Sequence, residues 1–263
     1  MLFEGKSRKR RSSVACREPP RSARLDVFTM RAVTASPQLG PLSEVPGVPE
    51  TALEPELLGR LPQTAPPAPW GLALQALVWF GPPGWAAAPV LPIALRANAR
   101  VVARGGGLVR YLETPVGGHA EALGAEVLWR PHEVGVHIPF MAVDSPGSIV
   151  GGRRNWSLPK TLASFDGDPV GDQAMTARGD TWEISARARA LGPPLPYATA
   201  FTLLQVWPDE RVRRATGRTR GRARPARVTV EASGGADLRR CVGEGSFLGA
   251  IIESARVTLD APR

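Results

Sequence analysis

Apolar positions in this 263-residue chain fall in short runs that Gly or Pro closes. Seven of them read as β-strands: Leu108 to Val116, Ala120 to Trp129, Val134 to Val143, Asp180 to Ala190, Phe201 to Trp207, Ala226 to Ala232 and Ala255 to Asp260. In the fourth, Trp182, Ile184 and Ala186 alternate with Glu183 and Ser185, the period of a strand with one buried face. An earlier apolar run, Trp70 to Phe80, suits a buried element. No strand–helix alternation, glycine-rich phosphate loop or repeat of fixed period is present, which argues against a nucleotide-binding fold. The pattern predicts a mainly β fold: an antiparallel sheet closed into a barrel or cone, with a few short helices.

One helix is well marked. In "DSPGSIVGGRRNW" either Asp144 or Ser145 can serve as N-cap, with Pro146 at the first helical position. Pro159 then disfavours a helical conformation at Leu158, so Lys160 falls on an extended or turn segment. Upstream, residues 32–69 carry nine prolines and no sustained apolar period, which reads as a linker. The folded domain is therefore expected over 63–263, preceded by a disordered basic and proline-rich extension over 1–62.

Composition narrows the class. Apolar residues make up 43%, enough for one globular core, and 28 Gly with 27 Pro favour strands and turns over long helices. No apolar run reaches the roughly 18–20 residues that cross a bilayer, so a soluble, cytoplasmic protein without a membrane partner is expected. The net charge of +9 is concentrated at the start: residues 1–31 hold nine Lys or Arg and three acids. That arm lacks the apolar centre of a secretory signal. It reads as an upstream start with Met30 as the true one, as a polyanion-binding or membrane-surface arm, or as a targeting peptide. The arginine-rich usage throughout the chain favours the inert extension.

Cys16 and Cys241 are far apart, and His119, His132 and His137 lack the spacing of metal ligands on one helix face. No metal site is expected, and the histidines read as partly exposed strand or loop residues. The stretch 211–227 holds eight arginines, and Arg218, Arg220, Arg222 and Arg224 alternate onto one face of an extended strand. With little aromatic interleaving to stack bases, it reads as a solvated hairpin face rather than a nucleic-acid site. One or two of these arginines bordering a pocket and attracting an anion is the other reading.

Against this arginine habit one lysine stands out. The only others are Lys6 and Lys9, in the arm, so Lys160 is the sole lysine of the expected domain. An amine, unlike a guanidinium, can shed its proton and attack a carbonyl carbon. Trp156, Leu158, Leu162 and Phe165 flank it and can desolvate it, while Arg153 and Arg154 add repulsion; both effects favour the neutral, nucleophilic form.

The stretch "SIVGGRRNWSLPKTLASF" resembles the signature of the acetoacetate decarboxylase family, a Gly-Arg-Glu segment running into an aromatic-x-x-Pro-Lys turn. "VRYLETPVGGHAEALGAEVLW" is similar to the family's other block, Tyr-x-x-x-Pro-Val-Gly followed by a glutamate. The resemblance extends over residues 65–260 and is specific in Val109–Trp129 and Ser148–Phe165. It implies that Lys160 is the Schiff-base lysine and that Glu121, 39 residues earlier, is the pocket glutamate. Arg153, Arg154, Trp156 and Glu113 complete the candidate substrate-binding set. Two features depart from the family's pattern: Thr161 and Arg154 stand where it has a second lysine and a glutamate, and "WGLALQALVWF" lacks its early arginine.

What the resemblance implies is decarboxylation of a β-keto acid through an imine on Lys160, with no metal or organic cofactor. Thr161 and Arg154 favour another fate for the same enamine, aldol condensation or dehydration. A pocket that binds a ketone or keto acid without turnover, or an arginine-rich polyanion binder, is the non-enzymatic alternative. By the same resemblance the partners are a small keto acid or ketone and further copies of the chain in a homo-oligomer, not nucleic acid.

Overall fold

The computed structural model describes residues 42–82 and 91–263. The basic arm, Cys16 and Met30 lie outside the described residues. In chain order the elements are helix α1 (Pro55–Arg60), strand β1 (Trp70–Gly81), helix α2 (Ile93–Arg96), strands β2 (Arg100–Glu113), β3 (His119–Arg130) and β4 (Glu133–Val143), and helix α3 (Pro146–Trp156). Strands β5 (Lys160–Leu162), β6 (Ser164–Asp166), β7 (Met175–Arg178), β8 (Glu183–Ala190), β9 (Leu195–Val206) and β10 (Val212–Ser233) follow, then helix α4 (Ala236–Val242) and strand β11 (Gly245–Leu259).

All the strands join one sheet in the order β11-β1-β2-β3-β4-β9-β10-β8-β7-β6, with β5 beside β4. A further pairing of β10 with β11 closes seven strands, β1 to β4 and β9 to β11, into a ring. The expected mainly β, closed sheet is therefore present. Its seam is the parallel contact of β4 with β9 at Val136 and Leu203, reinforced by His137 Nδ1 donating to the Leu204 carbonyl and Gln205 Nε2 to the Ile138 carbonyl, each at 3.1 Å.

The strands run longer than the sequence pattern predicts, because pairing on both sides carries them through Gly and Arg. Gly106 inside β2 is needed for packing: a Cβ there would lie 2.5 Å from the ring of Trp79, a fully buried side chain whose indole donates to the Val242 carbonyl at 2.8 Å. The 22-residue β10 changes neighbour midway, pairing with β9 as far as Ala223 and with β8 from Ala226. Pro225 falls in the gap, where its missing N–H removes no ladder bond on that side. Arg218, Arg220 and Arg222 are exposed on one face of this strand, as their alternation predicts, whereas Arg224 is half-buried beside Glu253 at 2.5 Å.

β3 explains why the period-two signal is only partial. Ala120 and Ala122 enter the main core with Leu77, Trp79, Leu108, Phe140 and Val228, while Leu123, across the strand, packs with Leu74 and Val109. With both faces covered, a strand has no polar side to display. Residues 42–62 correct the expected boundary at 63. Val48 lies in the main core, and Leu53 and Leu61 pack with Val143, Ile149 and Val150, so this proline-rich segment is part of the folded body. No helix among the described residues is long and apolar enough to cross a membrane.

Candidate active site

The site forms where α3 ends and the chain reverses. Ser145, not Asp144, is the N-cap, its Oγ accepting from the Ser148 N–H at 3.2 Å; Asp144 instead accepts the Ala120 N–H of β3 at 2.8 Å. At the other end Ser157 adopts a left-handed conformation, and the N–H groups of Ser157 and Leu158 close on the carbonyls of Arg153 and Gly152. The turn brings Lys160 back beside β4, opposite Met141, as the first residue of β5. Its stem lies along α3 against Gly152, where a Cβ would stand 2.5 Å from Lys160 Cδ.

The amine ends in a buried polar cluster. Lys160 is 5% exposed and Glu121 1%, so the expected desolvation is present. Lys160 Nζ lies 2.6 Å from Glu121 Oε2 and donates to Ser148 Oγ at 2.9 Å. The second carboxylate oxygen of Glu121 accepts from the Tyr111 hydroxyl at 2.9 Å. Burial, the adjacent Glu121 charge and that hydrogen bond push the Tyr111 phenol well above its usual range, so it remains a donor. The His119 ring stacks on Tyr111 with centroids 4.7 Å apart. Burial, then the Lys160 charge, lower the pKa of His119, against smaller opposing effects of Glu121, the Gly117 hydrogen bond and Asp144.

Of the six residues singled out from sequence, Lys160 and Glu121 meet and the other four stand apart from the amine's hydrogen bonds. Arg153 is buried, but its guanidinium donates to three backbone carbonyls: Lys160 at 2.7 Å, Leu42 at 2.6 Å, and Thr51. It braces the lysine's backbone and ties down the 42–51 segment, and burial lowers its pKa to about 10, which leaves it charged at neutral pH. Arg154 donates to the Gln63 carbonyl at 2.5 Å. Trp156 is buried edge-on to Trp70, its indole donating to the Asp260 carbonyl at 2.8 Å. The Glu113 side chain is 72% exposed and 3.9 Å from Arg256. With Arg218, Arg220 and Arg256 it lines an open trough of about 760 Å³, whose lining includes neither Lys160 nor Glu121.

The sequence does not mark Ser148 or Gly152, and it assigns no site role to Tyr111, the tyrosine of the Tyr-x-x-x-Pro-Val-Gly block, or to His119. Ser148 and Gly152 are four apart on α3 and so share the face that meets the lysine, but that spacing acquires meaning only once Lys160 is known to fold back. His119 and Glu121 are two apart on β3, on one face, and Tyr111 pairs with His119 across the ladder. The expectation of partly exposed histidines is corrected for His119 and His137, both buried; only His132 is exposed.

No protein-family model matches the sequence, and no curated protein matches it either. Solved structures do. The acetoacetate decarboxylase of Legionella pneumophila superposes with a TM-score of 0.52 at 15% identity, over 78% of this chain and 90% of that one. The enduracididine biosynthesis enzyme MppR complexed with pyruvate superposes with a TM-score of 0.53 at 14% identity, over 82% of this chain and 95% of that one. This chain has the acetoacetate decarboxylase-like fold. Within this fold the lysine of the Pro-Lys turn, Lys160, is the one buried against a carboxylate.

Proposed function

We propose that the protein is a Schiff-base enzyme acting on a small ketone or keto acid through an imine on Lys160. The observation that carries this reading is the buried amine held between a carboxylate and a hydroxyl, 2.6 Å from Glu121 and 2.9 Å from Ser148. Glu121 is placed to accept the ammonium proton, and the neutral amine then attacks the carbonyl carbon. Loss of water from the carbinolamine leaves a protonated imine, whose positive nitrogen draws electrons from an adjacent bond. Ser148 Oγ accepts from the amine and the Tyr111 hydroxyl donates to Glu121, so both hold the pair in place in a site removed from solvent. No metal ion or organic cofactor enters these steps.

Two outcomes follow from the imine. The imine of a β-keto acid loses carbon dioxide to leave an enamine; the imine of a simpler ketone or of pyruvate loses a proton to give an enamine that attacks an aldehyde, and the adduct can dehydrate. Arg153 and Arg154 are engaged with backbone carbonyls and do not single out a carboxylate-bearing substrate for either branch. The fold neighbour MppR, whose complexes include pyruvate and the condensation product of pyruvate with imidazole 4-carboxaldehyde, supports the second branch.

Borohydride trapping with acetoacetate and a panel of 2- and 3-keto acids, with peptide mass mapping, tests the imine. Reduced adduct on Lys160, absent from Lys160→Arg, is the expected result; no adduct with any ketone at neutral or mildly alkaline pH rejects the reading. Carbon dioxide release from the β-keto acids separates the two outcomes.

A further inference from the structure

His119 is the one polar group of this cluster left half-used. It opens β3, and its Nδ1 lies 3.1 Å from the Gly117 carbonyl. A carbonyl only accepts, so Nδ1 carries the hydrogen and Nε2 keeps a bare lone pair. Nε2 is buried and meets no hydrogen-bond partner among the described residues, on a side chain only 8% exposed. An unpaired buried acceptor is destabilising, a cost that an apolar side chain stacked on Tyr111 would avoid. Strain of this kind, beside a reactive amine, points to a partner that arrives with the substrate.

We propose that His119 Nε2 is the base that removes a proton from the carbon next to the imine carbon of the Lys160 adduct, and later returns it. The inference rests on the imine reading above and extends it to the carbon acid. In the step, the C–H electron pair becomes the C=C bond of the enamine, the C=N pair moves onto the Lys160 nitrogen, and the proton passes to Nε2. Reprotonation reverses each movement, and no oxidant or added cofactor is needed. The substrates are thereby ketones and keto acids that carry a hydrogen on the carbon beside the carbonyl.

The surroundings suit a base that cycles. Burial of the ring, then Lys160 on β5, disfavours the imidazolium, keeping the lone pair available at neutral pH. Glu121 on β3 and Asp144, just after β4, favour the imidazolium, so the proton is tolerated once taken. Tyr111 on β2 stays neutral and stacks on the ring, which fixes its plane.

The full chain and its His119→Asn and His119→Gln variants are compared by borohydride trapping with pyruvate and acetone, and by NMR of solvent deuterium entering the methyl groups of the same two probes. Asn preserves a donor near the Nδ1 position, Gln reaches toward Nε2, and neither is a base. The expected result is trapping within about threefold of the unaltered chain, with deuterium exchange slowed about 100-fold or more, the range of general-base catalysis. Exchange by the unaltered chain should rise with pH through the lowered histidine range, and the variants should lose that dependence. Unchanged exchange with intact trapping overturns the role of His119 and leaves Lys160 standing. Loss of trapping together with exchange in both variants also overturns it, since His119 would then serve imine formation itself. If the unaltered chain forms no adduct, the imine reading fails and this inference goes with it.

Discussion

Replacing Gly152 by Ala puts a methyl group where the Lys160 stem lies. The added Cβ would stand 2.5 Å from Lys160 Cδ, 2.6 Å from Cε and 3.1 Å from Cγ. Carbon atoms in contact sit about 3.5–4.0 Å apart, so the stem must withdraw by about 1 Å. On helix propensity the substitution gains about 1 kcal/mol, while overpacking a filled interior costs about 1–3 kcal/mol. The net is a loss of about 0–2 kcal/mol, which for a domain of this size lowers the melting temperature by roughly 2–4 °C per kcal/mol. The larger effect falls on the amine, which leaves its 2.6 Å contact with Glu121 and its 2.9 Å contact with Ser148. Misplacing a reacting group by about 1 Å costs on the order of 100-fold. The assay is the time course of reductive trapping with pyruvate, read by intact mass, beside a thermal melt. Gly151→Ala is the matched control, because its Cβ meets the Trp70 ring instead of the lysine. It should lose stability yet trap at the normal rate per folded molecule. If Gly152→Ala also traps at the normal rate, α3 does not position the amine and the reasoning is wrong.

Lys160→Met leaves Glu121 buried without its cation and should cost about 3–5 kcal/mol in chemical denaturation, whereas Lys160→Met with Glu121→Leu should recover most of that loss; equal losses in the single and double variants would show that the pair is not the source. Arg153→Met strips donors from the Lys160, Leu42 and Thr51 carbonyls, about 1–3 kcal/mol for each one left buried and unpaired. Limited proteolysis should then cut within 42–62 well before the sheet. Burial holds His137 at about 4 against 6.5 for a free imidazole, so the unfolded chain binds the extra proton as pH falls from 6.5 towards 4 and stability is lost over that window. The contribution is about 3 kcal/mol. His137→Asn should flatten the acid limb of a denaturation-midpoint against pH plot by that amount, and an unchanged limb would refute the assignment.

Local chemistry made much of this protein legible in its sequence. Ser145 and Pro146 mark the start of α3 because capping involves only neighbours along the chain, and Pro159 keeps Lys160 out of helix for the same reason. The seven strand stretches are recovered as parts of β2, β3, β4, β8, β9, β10 and β11, since β-rich runs bounded by Gly or Pro carry their own signal. Residues 42–62 misled because prolines read as a linker, while the burial of Val48, Leu53 and Leu61 depends on β4 and α3, far away in sequence.

The sequence by itself determined which residue stands out: one lysine in an arginine-rich domain, on an extended segment after a capped helix, with a glutamate 39 residues before it. Tertiary structure decided which groups share the site. Only the pairing of β2, β3 and β4 with β5 and α3 sets Glu121 and Ser148 against the amine, Tyr111 on Glu121 and His119 on Tyr111, and only packing turns Arg153 toward three carbonyls and away from the amine's partners. Capping and proline restriction act over a few residues and are written in local order. Desolvation and hydrogen-bond partnership depend on distances across the sheet, which the linear order does not contain.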